Sequence, residues 1–129
     1  MAERKYRVVA VLGLDCGLGV YGLLQDMDSV NLLAICARPA TEANNIAGYI
    51  DLSLHVEPSL YRHYRDIDDI NAVIDEFDDI DLVVAIGVSD ILKGPVLSRP
   101  RLGCLGAHAA PLPERPGSAP LIWAILDEL

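Results

Sequence analysis

Three short runs of β-branched and aliphatic residues constrain this chain most: 7–13 (RVVAVLG), 30–36 (VNLLAIC) and 82–86 (LVVAI). Each is too short for a helix of ordinary length and too continuously apolar for a strand with one wet face. Such runs belong inside a parallel sheet that is covered on both faces. Between them lie segments of helical periodicity. Ile67, Ile70, Val73, Ile74 and Phe77 recur at helical spacing with acids between them, which predicts a strongly amphipathic helix. Residues 17–27 predict another helix, capped by Asp15, with Leu18, Tyr21, Leu24 and either Leu23 or Met27 facing inward.

The remaining elements carry weaker signals. A short helix is expected over 41–51, opened by Thr41, and a brief third strand over 53–56. A loop and short helix are expected within 88–97, and a further strand over 102–107. Four of the eight prolines fall within 109–120, which reads as a stiff loop, with Pro120 opening a closing helix over 121–129. Strands alternating with helices predict an α/β, Rossmann-like, mostly parallel sheet with helices on both faces. The whole chain, 1–129, reads as one domain. The expected core comprises Val8, Val9, Val11, Leu33, Ile35, Val83, Val84, Ile86, Leu105, Ile122 and Ile125.

Composition limits function. The formal net charge is −9, and eight of the 19 acids lie within 66–81 with no Lys or Arg among them. That cluster reads as a solvated acidic face. With no basic stripe to neutralise phosphates, the expectation is no direct nucleic-acid contact by this chain. Three cysteines, Cys16, Cys36 and Cys104, form no CxxC pair, which argues for a reducing compartment and against a zinc site. No signal peptide and no membrane-length apolar stretch is visible, so a soluble, cytoplasmic protein with no metal is expected.

Ligands of open α/β sheets bind beyond the carboxyl ends of the strands. The loop after the first run places glycines at Gly13, Gly17 and Gly19, which is neither the dinucleotide spacing nor a P-loop. It reads as a tight strand-to-helix turn. The loop after the 82–86 run is Ile86-Gly87-Val88-Ser89-Asp90, where the glycine permits close approach of a ligand; Asp90 serves equally as a helix cap or a ligand group. His108 stands at a predicted strand end before a proline-stiffened loop. Cys104, four residues earlier on a strand, is roughly 13 Å away, too far for a nucleophile and its base. Cys104 therefore reads as a core residue.

The stretch 102–125, LGCLGAHAAPLPERPGSAPLIWAI, resembles the signature of the folate-dependent formyltransferases. That family comprises methionyl-tRNA, glycinamide ribonucleotide and sugar N-formyltransferases. The segment DLVVAIG at 81–87, followed by Ile91-Leu92, is similar to the family's strand before the same site. The resemblance implies transfer of a formyl group from 10-formyltetrahydrofolate to an amine, through a tetrahedral oxyanion held by an asparagine and a histidine. His108 matches the histidine. Gly106 occupies the asparagine position, and the family's downstream aspartate has no counterpart in the 21 residues after His108. The donor would be bound by Ile86, Gly87, Val88, Ser89, Asp90, Leu112 and Pro113. The resemblance thus implies the N-terminal part of a family domain, truncated relative to the family, with an incomplete catalytic set and small amines or amino sugars as substrate. Two alternatives stand beside it: a non-catalytic binding or assembly subunit with the same fold, and a generic Rossmann-like nucleotide binder. A closing helix bearing Trp123 and short of partners predicts a homodimer or larger assembly.

Overall fold

The computed structural model describes residues 4–107. Five strands form one all-parallel sheet: β1 (Tyr6–Leu12), β2 (Val30–Ala37), β3 (Tyr61–His63), β4 (Leu82–Ile86) and β5 (Cys104–Gly106). Their order is β3-β2-β1-β4-β5. The chain therefore builds outward from β1 in one direction, then returns across the sheet to build outward in the other. Between β1 and β4 lies the switch point where doubly wound folds open a crevice at the carboxyl edge.

Alternation along β1 divides the core. Val9 and Val11 pack with Ile70, Val73 and Ile74 of α2 (Ile67–Asp75) and with Val96 of α3 (Pro95–Ser98). Val8, Ala10 and Leu12 face the other way, onto Tyr21, Leu18 and Leu24 of α1 (Leu14–Asp26). Helices thus cover both faces, as the continuous apolar runs predict. In β2 a register shift opposite Val8 and Val9 inserts Leu33, so Leu33 and Ala34 pack toward the same face.

Several local expectations are corrected. Helix α1 begins at Leu14, capped by Gly13 without a side-chain bond; Asp15 sits inside its first turn and is no cap. Leu23 and Met27 are exposed. Residues 41–51 hold only a 3-10 turn, Ala40–Asn45, capped by Pro39 rather than Thr41. The expected strand at 53–56 is a 3-10 turn, Leu52–Leu54, which drops Leu52 and Val56 into the core one turn apart. The third strand is Tyr61–His63, a three-residue edge too short and too polar to announce itself.

Of the expected core, Val8, Val9, Val11, Ile35, Val83 and Val84 are buried, and Leu33 and Ile86 are partly so. Leu105 is 57% exposed: it pairs with Val84 on edge strand β5, where no described helix reaches it. Ile122 and Ile125, the 109–120 loop and the closing helix lie outside the described residues.

The acidic segment is also less uniform than its composition suggests. Asp81 is 1% exposed. It accepts the backbone N–H of Arg7 at 2.8 Å, the Arg4 guanidinium at 2.9 Å and Arg101 Nε at 3.1 Å. It is a staple across the amino-terminal ends of β1, β4 and β5, not part of a solvated face.

Candidate functional site

At the carboxyl edge, β1 and β4 leave the sheet through two glycines in contact. A Cβ on Gly13 would strike the carbonyl oxygen of Gly87, and a Cβ on Gly87 would strike that of Gly13. Gly87 also has φ +74°, which glycine adopts without strain. Gly13 N–H donates to the Ile86 carbonyl at 3.0 Å, and Gly17 packs against the same carbonyl. The GLDCGLG segment is therefore the tight strand-to-helix turn its spacing suggests, and its glycines let two loops touch.

A cavity of about 260 Å³ opens over this contact. Its floor is Leu12, Gly13 and Gly87; its walls come from the ends of β2 and β4 and from the Ala40–Asn45 turn. Of the five donor-site residues expected in the 86–90 loop, Gly87, Val88, Ser89 and Asp90 line the cavity, whereas Ile86 packs beneath it. His108, Leu112 and Pro113 lie outside the described residues. Gly106 ends β5, exposed, and among the described residues only the Ala85 carbonyl lies within reach, 3.4 Å from where its Cβ would stand.

Three residues of this wall escape sequence reading. Arg38 directly follows β2. Its guanidinium pairs with Asp90 Oδ1 and with Glu42 Oε2 at 2.9 Å, and donates to the Arg65 carbonyl at 2.6 Å. It also stacks 4.8 Å above the Tyr64 ring. Tyr64, fully buried after β3, donates its hydroxyl to Asp90 Oδ2 at 2.7 Å. Burial and the adjacent Asp90 charge push the Tyr64 phenol well above its ordinary range. For Arg38, burial works against the charged form, but Asp90 and Glu42 outweigh it and hold the guanidinium charged. Both Asp90 oxygens are engaged, so the carboxylate cross-ties the β2 and β4 loops rather than capping a helix. The rule that pointed to 86–90, that strand ends carry ligands, also covers Arg38. Tyr64 was hidden by the misplaced third strand.

Cys36 is buried, its thiol pushed up to about 12 chiefly by that burial, and Cys104 is raised the same way. Neither lines the cavity. Among the described residues no cluster of three His, Cys, Asp or Glu is placed to hold a metal, and no helix is long and apolar enough to cross a membrane.

No protein-family model matches the chain. Curated relatives do. A methionyl-tRNA formyltransferase from Clostridium novyi is 32% identical over 84 residues, 65% of this chain and 24% of that protein. Others, from Parvibaculum lavamentivorans and Citrifermentans bemidjiense, are 48% and 43% identical over 48 and 47 residues, 37% and 36% of this chain. These partial matches support a formyltransferase-family N-terminal part. This chain spans about a quarter or less of the length of these relatives (24%, 16% and 15%). The expectation of a small-molecule amine or sugar partner without direct nucleic acid is overturned, because these relatives are named for methionyl-tRNA, an amine carried on a nucleic acid. The charge argument failed for a physical reason. It read this chain alone, whereas in those longer relatives the residues that neutralise phosphates can lie anywhere along their length. The assembly expectation rested on residues 121–129, outside those described.

Proposed function

We propose that this chain supplies the donor-side α/β part of a folate-dependent formyl transfer to an amine, with methionyl-tRNA, named by the relatives, as the acceptor. The observation that carries this reading is the cavity at the β1–β4 switch point, bounded by the 86–90 loop that the family resemblance assigns to 10-formyltetrahydrofolate. Gly87, Val88 and Ser89 would present backbone groups to the donor, with Asp90 holding the loop's shape. Leu112 and Pro113 would complete that wall. His108 would stabilise the tetrahedral oxyanion and help move the amine's proton.

Gly106 in place of an asparagine removes one oxyanion donor, a loss worth about 10²–10³ in rate. A non-catalytic binding role is therefore the second reading, and Gly106 is the observation that favours it. Among the described residues the nearest contact to a Cβ at Gly106 is the Ala85 carbonyl at 3.4 Å, which does not bar a side chain.

Titrating the isotope-labelled chain with 10-formyltetrahydrofolate tests the donor site. Saturable amide shifts centred on Gly87 and Ser89 are expected; shifts elsewhere, or none, overturn the reading. Tetrahydrofolate release with methionyl-tRNA separates the two roles. The chain alone is expected at background and Gly106→Asn above it. Robust release that survives His108→Ala would defeat both the expected inactivity and the proposed site.

A further inference from the structure

Residues 38–51 are the longest described stretch in which no residue is buried. Ala37 anchors one end and Leu52 the other, both in the core. Between them the chain runs along the cavity, to which Glu42, Asn45, Ile46, Tyr49 and Ile50 contribute one wall. It passes beside the start of α1, where a Cβ at Gly48 would stand 3.8 Å from Leu14 Cδ2. Among the described residues, the backbone hydrogen bonds of 40–50 all close within the stretch: Glu42 N–H to the Pro39 carbonyl, Ile46 to Ala43 and Tyr49 to Ile46. None of these reaches the sheet. Two side-chain bonds tie the stretch down, and both end on Arg38. Glu42 Oε2 accepts from the guanidinium at 2.9 Å, and the Tyr49 hydroxyl donates to the Arg38 carbonyl at 3.0 Å. Of its apolar side chains, Ile50 packs on the core, at the far end.

The opposite wall is fixed. Gly13 and Gly87 meet backbone to backbone, and both Asp90 oxygens are bound. Arg38 belongs to the fixed side as well. It stacks on Tyr64, pairs with Asp90, and donates to the Arg65 carbonyl through the same nitrogen that serves Glu42. Releasing Glu42 therefore leaves that nitrogen bonded, and the freed carboxylate and Tyr49 hydroxyl can turn to water. Lifting the stretch breaks two partly exposed contacts and no backbone bond to the sheet. Segments of this kind open well below the free energy of global unfolding.

We propose that 39–50 is a lid on the cavity, latched to Arg38 through Glu42 and Tyr49, which opens as one unit while the sheet stays folded. Its hinges lie beside Arg38 and Leu52, and a ligand filling the cavity holds it shut. The ligand's identity rests on the donor-site reading. The opening does not, since it follows from the tethers alone.

Hydrogen exchange of the isotope-labelled chain is the test. Without ligand, the Ile46 and Tyr49 amides should share one opening equilibrium, at least about a hundredfold more populated than the one that exposes Val9 or Val84. Tyr49→Phe should speed exchange at Ile46 about fivefold, the scale of one net hydrogen bond, although the lost hydroxyl makes no bond to that amide. Glu42→Gln should speed both amides about twofold, the scale of a screened ion pair. Protection at Ile46 equal to that at Val9 overturns the lid, as does a Tyr49→Phe effect confined to residue 49. Adding 10-formyltetrahydrofolate at about ten times its Kd should slow exchange at Ile46 and Tyr49 about tenfold. Donor shifts at Gly87 and Ser89 with unchanged exchange in 39–50 overturn the closure. Absence of any donor shift sinks the donor-site reading instead, and the ligand-free exchange then decides the lid by itself.

Discussion

Asp81 and Asp90 sit at opposite ends of the sheet and do similar local chemistry. Asp81 lies just before β4 and is held by Arg4, Arg101 and the Arg7 N–H. Asp90 lies beyond the carboxyl end of β4 and is held by Arg38 and Tyr64. Each is a carboxylate tied to arginine across neighbouring strands. Asp90 borders the cavity described above, whereas Asp81 is not among its lining residues. The difference comes from the parallel sheet. At the amino edge the incoming segments converge on Asp81 and close over it. At the carboxyl edge, β1 departs into α1 on one face while β4 departs toward the other, and a crevice remains. The same ion pair is a staple at one end and the wall of a site at the other.

The largest expected effect tests whether the crevice depends on its glycine contact. Gly87→Ala forces a side chain into a positive-φ backbone and against the Gly13 carbonyl, so backbone, not a flexible side chain, must move. A loss of about 3–5 kcal/mol is expected in urea or thermal unfolding, the upper end for single substitutions. A loss below about 1 kcal/mol would mean that the loops separate easily and that the crevice is not defined by this contact.

Next is the staple. Asp81→Asn removes the charge from a buried oxygen pair that accepts hydrogen bonds from three residues and is expected to cost about 1–3 kcal/mol near neutral pH. The Arg7 N–H lowers the Asp81 pKa most; burial opposes it, and Arg101 and Arg4 reinforce the lowering. A folded value below the unfolded one, about 3.9, means the stabilisation is complete above the unfolded value and fades as pH falls through the folded one. Stability curves of the two proteins should therefore differ at pH 6 and converge in acid. Parallel curves down to the lowest pH would remove the staple from the account. Ligand binding in the cavity should not change, since Asp81 is at the other edge.

How much of this was legible follows the same geography. Strands β1, β2 and β4 were readable because a parallel strand covered on both faces must be apolar throughout, and RVVAVL and LVVAI leave no other use for those residues. The edges were read less well: the strand expected over 102–107 is present as Cys104–Gly106, but its Leu105 is not core, and the other edge strand was missed. Tyr61–His63 carries an arginine and a histidine, and Leu105 faces outward, because an edge buries only part of its surface. At the site, Gly87 and Asp90 were found through a strand end. Arg38 and Tyr64 were missed because ion pairs between loops 52 residues apart, and hydroxyls 26 apart, leave no periodic trace. Asp81 was misread for a related reason. Composition counts it with seven neighbouring acids, while folding turns it inward.

Returning to the site wall, Tyr64→Phe deletes one hydroxyl from a fully buried ring and leaves an Asp90 oxygen short of a donor. The ring and its stacking on Arg38 survive, so the expected cost is about 1–2 kcal/mol in unfolding, smaller than for Asp81 because Arg38 still holds the carboxylate. A neutral result would mean that water replaces the hydroxyl without loss, and that the Asp90 end is open to solvent even at its base.

The smallest effect separates the two carboxylates that share Arg38. Glu42 reaches it across one 3-10 turn, and both side chains are about a quarter exposed, 24% and 26%. Such a pair is screened by water and salt and is worth about 0–1 kcal/mol. Asp90 is shielded further, at 17%, and has a second donor in Tyr64. Glu42→Gln is therefore expected to shift unfolding by no more than about 0.5 kcal/mol, an effect that shrinks in 0.5 M salt. Its consequence lies in the cavity. Removing one carboxylate changes the described lining from net −1 to neutral, by loss of one of two acids against one arginine. If stability falls by more than 1 kcal/mol instead, Glu42 belongs with Asp81 as a staple.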